Sequence, residues 1–218
     1  MPARLIQLII FCCFGSPFLL IAQPADFAEI DKLVASDSEA GGNFGQAVAI
    51  ETPWLLIGAP GETEDVIGAN SLPQAGAAYF YRLDSISGEW QEFQKVVPQD
   101  REDGDRFGSA VAIQDSMALI SAIWEDDGLP GDTALGQAGA VYVFRLHPNG
   151  VWQQHQKLVP SDRKGYDYFG CALAMDGPYA VIGAYGRDPG GIGQAEAVTA
   201  GQAYVFERDS NGTWATKR

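Results

Sequence analysis

Short apolar runs of two kinds follow one another from residue 44 onward. FGQAVAIE (44–51) alternates small or apolar residues with polar ones, and WLLIGAP (54–60) is a continuous apolar run. GAAYFYRLD (76–84) is aromatic, and EWQEFQKVVP (89–98) alternates less cleanly. Alternation with a period of two and enrichment in aromatic residues are typical of β-strands. The pattern therefore predicts four strands, the last one outer and half-exposed, and no stretch shows a helical period.

The same pattern occurs three times along the chain. Phe44-Gly45, Phe107-Gly108 and Phe169-Gly170 are spaced 63 and 62 residues apart. Other markers keep this interval: Lys32-Leu33, Lys95-Val96 and Lys157-Leu158; AGAAYFYR (75–82), AGAVYVFR (138–145) and AGQAYVFE (200–207); and Trp90, Trp152 and Trp214. Four independent markers at one period establish an internal repeat of about 62 residues.

The turns between the predicted strands indicate how each repeat folds. Ser87-Gly88, Asn149-Gly150 and Asn211-Gly212 are hairpin signals, and the first two strands are separated by only two or three residues. Repeated four-stranded antiparallel units with tight turns favour the blades of a β-propeller over a superhelical solenoid. The sequence predicts an all-β partial propeller of about three blades. Their boundaries are 35–97, 98–159 and 160–218, and 26–34 is a lone outer strand of a preceding blade.

The N-terminus differs in composition from the repeats. Arg4 is the only charge before Asp26, and an apolar stretch precedes a polar boundary near Gln23. This order predicts a signal peptide over 1–22 with cleavage between Ala22 and Gln23; an uncleaved membrane anchor is the alternative. Cys171 would then be the single cysteine left in the 23–218 region, where we expect a small packed residue rather than a nucleophile.

Charge excludes some classes of partner. The chain carries 14 basic and 28 acidic residues, a formal net charge of -14. Nucleic acid and anionic membrane surfaces attract basic proteins, so neither is an expected partner. We expect no stable membrane insertion after signal cleavage.

The FG pair, an apolar run, the intact Gly58-Ala59-Pro60 and the following YVF-like strand resemble the FG-GAP repeat of integrin α-subunit propellers. The resemblance is to the short-hairpin variety of secreted bacterial proteins and covers 27–218. It implies a bacterial, secreted protein of integrin α-like architecture with a role in cell adhesion. Many such repeats hold Ca²⁺ in an Asp-rich loop between FG and GAP, but only two or three residues with at most one acid stand there.

Acidic residues concentrate in the longer connections. The loops 61–74, 124–137 and 186–199, and the crossings between blades, should all lie on one face of the propeller. That face would hold 17 of the 28 acidic residues: Asp37, Glu39, Glu62, Glu64, Asp65, Asp100, Glu102, Asp103, Asp105, Glu125, Asp126, Asp127, Asp132, Asp162, Asp167, Asp188 and Glu196. Long loops on a rigid scaffold favour a binding face, and solubility is the plainer interpretation.

The recurring aspartates Asp37, Asp100 and Asp162 each precede the FG phenylalanine by seven residues. An aspartate at a turn usually caps its own backbone, which is the expectation here, with a metal role as the lesser alternative. His147 and His155 occur in one repeat only, and no motif gathers a catalytic group. The sequence therefore predicts no catalytic, cofactor-binding or metal-ligating residues, no cofactor and no enzyme activity.

The expected function is a non-catalytic extracellular or cell-surface scaffold whose acidic loops bind a protein or glycan ligand. The alternative is the propeller portion of a larger secreted enzyme whose catalytic domain lies outside this chain. Closed propellers have about four to eight blades. Three blades leave open edges, so the chain is expected to be a fragment, to have more blades when intact, or to self-associate through those edges.

Overall fold

A computed structural model of the chain describes residues 29–188 and 200–216. Contacts divide the chain into two units, Met1–Lys32 and Leu33–Arg218. In the described part of the first unit, Lys32 Nζ lies 3.6 Å from Glu29 Oε1. The predicted signal peptide lies outside the described residues.

The second unit consists of three four-stranded antiparallel sheets, which we call blades 1, 2 and 3. In each blade the strands lie side by side in chain order. Blade 1 contains β1 (Ala47–Glu51), β2 (Trp54–Ala59), β3 (Ala77–Leu83) and β4 (Trp90–Val96). Blade 2 contains β5 (Phe107–Gln114), β6 (Met117–Ala122), β7 (Ala140–Leu146) and β8 (Trp152–Leu158). Blade 3 contains β9 (Phe169–Asp176), β10 (Tyr179–Ala184), β11 (Gln202–Arg208) and β12 (Trp214–Thr216).

The predicted all-β architecture is confirmed, and the blades form a partial propeller that does not close. Exposure follows the sequence pattern: β2 is almost wholly buried, whereas β4 alternates between half-buried and exposed positions. The described residues contain no helix, and hence none long and apolar enough to cross a membrane.

The FG glycines allow adjacent blades to approach closely. Gly108 has a φ of 91°, and a Cβ at this position would collide with the backbone of Ala77 in blade 1. A Cβ on Gly170 would collide with the side chain of Ser121 in blade 2. At each junction the FG phenylalanine also bonds to the preceding blade: Phe107 N donates to Ala75 O and Phe169 N to Ala138 O, both at 2.9 Å.

The hydrophobic core lies between the blades rather than inside any one of them. One cluster joins blades 1 and 2 around Leu56, Phe80 and Phe107, and a second joins blades 2 and 3 around Leu119 and Phe169. A third covers the other side of blade 1 with residues that include Leu33 and Ala35. Blade 2 is therefore the only one of the three described blades that is covered by another blade on both faces.

The repeated tryptophans pack at these junctions, as their spacing predicts. Trp152 is buried and stacks on Phe80 of blade 1, with ring centroids 4.3 Å apart. Its backbone N–H also donates to Gln94 Oε1 at 2.9 Å, while Gln94 Nε2 donates to Trp152 O at 2.8 Å. Gln156 and Trp214 repeat this pair between blades 2 and 3. Their positions give them a packing role.

Candidate functional site

The long connections lie at one end of the antiparallel sheets. We call this end the long-loop face: residues 35–46, 60–76, 97–106, 123–139 and 159–168 and the described part of 185–201. In each blade a hydrogen bond joins the incoming crossing to the β2–β3-type loop: Gly61 N to Gly42 O (3.0 Å), Trp124 N to Asp105 O and Gly186 N to Asp167 O (both 3.2 Å). In the part of the chain that the structure describes, the connections at the opposite end are tight turns.

An ion pair network around a buried lysine holds the base of the loops in blade 1. Lys95, on outer strand β4, places Nζ 2.6 Å from Asp37 Oδ2 and 3.3 Å from Glu62 Oε1. The hydroxyl of Tyr79, on β3, lies 2.8 Å from Asp37 Oδ1 and 3.2 Å from Glu62 Oε2. One crossing, one loop and two strands thus meet at a single ammonium group. Buried charges are stable only when paired in this way.

Blade 2 repeats the network with equivalent residues. Lys157 Nζ lies 2.7 Å from Asp100 Oδ2 and 3.3 Å from Glu125 Oε1, and the hydroxyl of Tyr142 donates to Glu125 Oε2 at 2.7 Å. Burial, followed by the nearby carboxylates, raises the pKa of the Tyr142 phenol far above its usual range, so it remains a donor. Burial likewise raises the pKa of Glu125, against the lowering effects of Tyr142 and Lys157.

Blade 3 builds the network differently. Arg187 occupies the loop position of Glu62 and Glu125, and its guanidinium contacts Asp162 Oδ2 at 2.6 Å and Asp167 Oδ2 at 3.1 Å. The cation therefore comes from the loop instead of the outer strand. Tyr204 keeps its place, 3.2 Å from Asp162 Oδ1, and burial raises its pKa to about 12.

These contacts correct the interpretation of Asp37, Asp100 and Asp162 as residues that cap their own turns. Their main partners are side chains from the sheet and from the loop, as described above. Burial alone would raise the pKa of Asp37, but hydrogen bonds from Lys95 and Tyr79 lower it overall. The aspartates therefore join loops to strands.

Two arginines fix the outer part of the loops. Arg101, in the crossing from blade 1 to blade 2, donates from Nη1 to Asn70 O and from Nη2 to Thr63 O, both at 2.8 Å. Arg163, one repeat later, donates from Nη2 to Asp126 O at 2.8 Å. Each crossing thus holds the loop of the preceding blade.

Some of the loop acids stabilise their own loop. Asp65 Oδ1 accepts from the N–H groups of Ile67 and Ala69, both at 2.9 Å, and these bonds lower its pKa. Asp132 Oδ2 accepts from Leu129 N at 2.9 Å. Of the acids assigned to this face from sequence, Glu196 lies outside the described residues.

One group of carboxylates in blade 2 could hold a cation. Single oxygens of Asp105, Glu125 and Asp126 lie within 4.8 Å of one another, and Asp105 and Glu125 are buried. Burial, and then the charge of Glu125, raises the pKa of Asp105 to about 8. In blade 3 the equivalent carboxylate, Asp167, has the guanidinium of Arg187 beside it instead. This cluster does not lie in the short turns between FG and GAP. The family's Asp-rich loop would need more residues than the connections between β1 and β2 or between β5 and β6 contain.

Aromatic and apolar side chains are exposed above these networks. Tyr166 is 63% exposed, and Tyr185 stacks on Tyr168 with ring centroids 4.8 Å apart. Arg106 covers the ring of Trp124 at 3.6 Å. Ile67, in the blade 1 loop, is 80% exposed. The face therefore combines carboxylates with flat and apolar groups on fixed loops.

Sequence reasoning located the loops but missed the ion pair networks. Glu62 and Glu125 stand 63 residues apart, as Lys95 and Lys157 stand 62 apart, so the repeat interval carried a signal for both. Blade 3 has Arg187 where the other two blades have a glutamate, and the repeat interval gave no signal for this difference. The grouping of Asp105 with Glu125 depends on a crossing meeting a loop 20 positions away, which only the fold shows.

The comparison with protein families agrees with this architecture. The family model described as FG-GAP repeat matches residues 27–81, 90–144 and 152–206. These stretches cover most of the chain, which therefore belongs to the FG-GAP repeat family and is a propeller-type scaffold. A search of curated proteins found no match.

Proposed function

We propose that this chain is a non-catalytic scaffold of the cell exterior or cell surface that binds a protein or glycan ligand through the long-loop face. The observation that carries the proposal is that each blade fixes its loops with ion pairs to a buried cation, as Lys95 does with Asp37 and Glu62. Loops ordered before binding lose little entropy on binding, which favours affinity.

The chemistry of the face supports this proposal. Exposed aromatic rings such as Tyr166 and Tyr185 can stack on sugar rings or fill a pocket of a protein partner. Carboxylates nearby can accept hydrogen bonds from sugar hydroxyls or pair with lysine and arginine of a partner. A net charge of -14 favours basic over acidic partners.

Binding to a glycan array and to an array of extracellular proteins tests the proposal. We expect a ligand whose binding falls at least tenfold in the variant Tyr166→Ser/Tyr185→Ser. The control is Ile86→Ser, which removes a side chain that is 96% exposed in the β3–β4 turn, at the other end of the sheets. Unchanged binding in the tyrosine variant, together with loss in the control, would place the ligand on the wrong face for this proposal.

The proposal includes a location at the cell exterior or cell surface. This location is supported by the order of charged, apolar and polar residues over 1–22. The mass of the exported chain should correspond to a start at Gln23, and an intact N-terminus in the exported chain would contradict cleavage.

A further inference from the structure

The crossing from blade 2 to blade 3 carries a tyrosine in a backbone conformation that favours glycine. Tyr166 has a φ of 63°. The residues at the same repeat position in the other two crossings are Gly41, with a φ of 91°, and Gly104, with a φ of 89°. A left-handed φ is unfavourable for a bulky side chain, whereas glycine adopts it without steric cost. The tyrosine is therefore held here against its own conformational preference.

The fold imposes this conformation, and burial of the ring does not compensate for it. Tyr166 N donates to Gly136 O at 2.8 Å, as Gly104 N donates to Pro73 O at 2.9 Å one junction earlier. The same bond thus sets the same turn with either residue. Tyr166 is 63% exposed, although it lies at a junction between two described blades. A strained residue whose side chain gains no burial points to a function for that side chain.

Two further tyrosines lie beside it. Tyr168 also has a left-handed φ, of 53°, at the position where the other blades have Asn43 and Arg106. Its half-buried ring stacks on the ring of Tyr185, with the planes 10° apart. Tyr185 is the more exposed of the two, so Tyr168 supports it from below and leaves the face of its ring outward.

The three tyrosines share one base. Asp167, between two of them, is buried and accepts a hydrogen bond from Arg187 Nη1 at 3.1 Å. Gly186 N donates to Asp167 O at 3.2 Å. A Cβ on Gly186 would collide with the backbone oxygen of Tyr166 and with the ring of Tyr168. The crossing therefore lies directly against the start of the blade 3 loop, which keeps the three rings together.

The other side chains in this part of the long-loop face are polar or charged. Residues 161–168 and 185–188 contain no aliphatic residue. The charges of these two segments balance, although the chain as a whole carries -14. The acidic residues are Asp162, Asp167 and Asp188, and the basic residues are Arg163, Lys164 and Arg187. The side chain of Asp162 is 52% exposed, so it can accept hydrogen bonds from a ligand.

This composition favours a sugar over a protein as the ligand of the tyrosines. The centre of a protein interface combines aromatic with apolar side chains in a pocket that excludes water. A sugar ring instead needs a flat aromatic face for its C–H groups and polar side chains nearby for its hydroxyls. The three tyrosines and their polar neighbours offer the second combination. The balanced local charge favours a neutral ligand.

We propose that Tyr166, Tyr168 and Tyr185 form a platform that binds a neutral oligosaccharide. Sugar rings stack on Tyr166 and Tyr185, and Asp162 accepts hydrogen bonds from their hydroxyl groups. The inference rests on the proposed function, because it selects the glycan from the two ligand classes and assigns it to the junction of blades 2 and 3.

An array of neutral oligosaccharides tests the platform with the full chain, after any processing of its N-terminus. Sulfated and sialylated glycans on the same array provide the acidic comparison. We expect binding to neutral oligosaccharides and none to the acidic ones. The Kd of a bound oligosaccharide, measured by isothermal titration calorimetry, should change less than about twofold between about 50 and 500 mM salt, because the site pairs no net charge with its ligand.

Substitutions at one repeat position separate a binding role of the tyrosine from a structural one. Tyr166→Gly should raise the Kd at least tenfold without lowering the melting temperature, because it removes the ring and relieves the left-handed backbone. Tyr166→Phe keeps the ring, so its Kd should stay within about threefold. Gly104→Tyr is the matched control in blade 2: it should lower the melting temperature and leave the Kd unchanged.

Three results would each overturn the platform: no binding to any neutral oligosaccharide, unchanged binding in Tyr166→Gly, or a lower melting temperature in that variant. If the chain instead binds only a protein, and loses it in Tyr166→Ser/Tyr185→Ser, the proposed function stands and this inference alone fails.

Discussion

At the scale of single residues, the three blades differ in how they pair the charges at the base of their long loops. Blades 1 and 2 place a lysine of the outer strand between two loop acids, whereas blade 3 places Arg187 between Asp162 and Asp167. In blade 2 the buried Asp105 lies close to the carboxylates of Glu125 and Asp126, and it accepts a hydrogen bond from Glu102 N–H. Identical backbone positions therefore differ in how well their charges are balanced.

The pKa of Asp105 leads to a prediction about pH. The folded chain holds this carboxyl at a pKa of about 8, above its ordinary 3.8, so it keeps a proton that the unfolded chain loses. The free energy of unfolding should therefore fall as pH rises from about 4 to 8 and level off above that. Asp105→Asn removes this loss, and its melting temperature should exceed that of the unaltered chain more at pH 8 than at pH 4.5.

Asp167→Asn is the matched control. Asp167 has the same repeat position, but it accepts a charged hydrogen bond from Arg187 at 3.1 Å. Its loss should lower the melting temperature at pH 7, because the buried guanidinium loses one of the two carboxylates that pair with it among the described residues. Thermal denaturation followed by circular dichroism at several pH values measures both variants. Destabilisation by Asp105→Asn at pH 8 would contradict the pKa argument.

At the scale of strands and blades, the FG pair acts through the junction. At Gly108 the backbones of blades 1 and 2 approach so closely that this glycine has no room for a Cβ, and its positive φ favours glycine. The phenylalanine before it joins the same contact through its backbone N–H. The FG motif thus allows one blade to pack closely on the next.

Comparison of two FG glycines separates crowding from backbone conformation. Gly45 and Gly108 share a φ of 91°, but only Gly108 faces a preceding blade, and a Cβ on Gly45 would meet no atom within 4 Å. Gly45→Ala should cost about 1 kcal/mol of unfolding free energy, from backbone strain. Gly108→Ala should cost about 3 kcal/mol or more, because the blades must also separate. Urea denaturation measures the difference, and equal losses would show that crowding contributes nothing.

At the scale of the whole molecule, stability should be highest in the middle blade. Among the described blades, blade 2 is covered by another blade on both faces, whereas blades 1 and 3 are each covered by another blade on one face. Buried strands with fewer exposed bonds exchange their amide hydrogens more slowly. The stack should therefore open from its ends.

Hydrogen exchange followed by mass spectrometry tests this order at a concentration where the chain is monomeric. We expect the slowest exchange in β6 and β7 and faster exchange in β10 and β11, by at least tenfold. Exchange in β10 as slow as in β6 in the monomer would contradict the expected order.

The sequence by itself determined the repeat, the four strands of each blade and the family. These follow from local rules: alternation of side chains, the turn residues, and the FG glycine repeated at 44–45, 107–108 and 169–170. It also placed the long loops on one face, because antiparallel connections alternate between the ends of a sheet.

Only the tertiary structure decided what the acidic residues do. It brought Asp37 and Glu62, which are 25 positions apart, onto one lysine, and it set the buried carboxyl of Asp105 beside that of Glu125. It also showed that Val48 and Val181 are exposed although their repeat equivalents are buried. Burial depends on which neighbour covers a residue, and a repeating sequence gives equivalent positions the same pattern whether or not that neighbour is present.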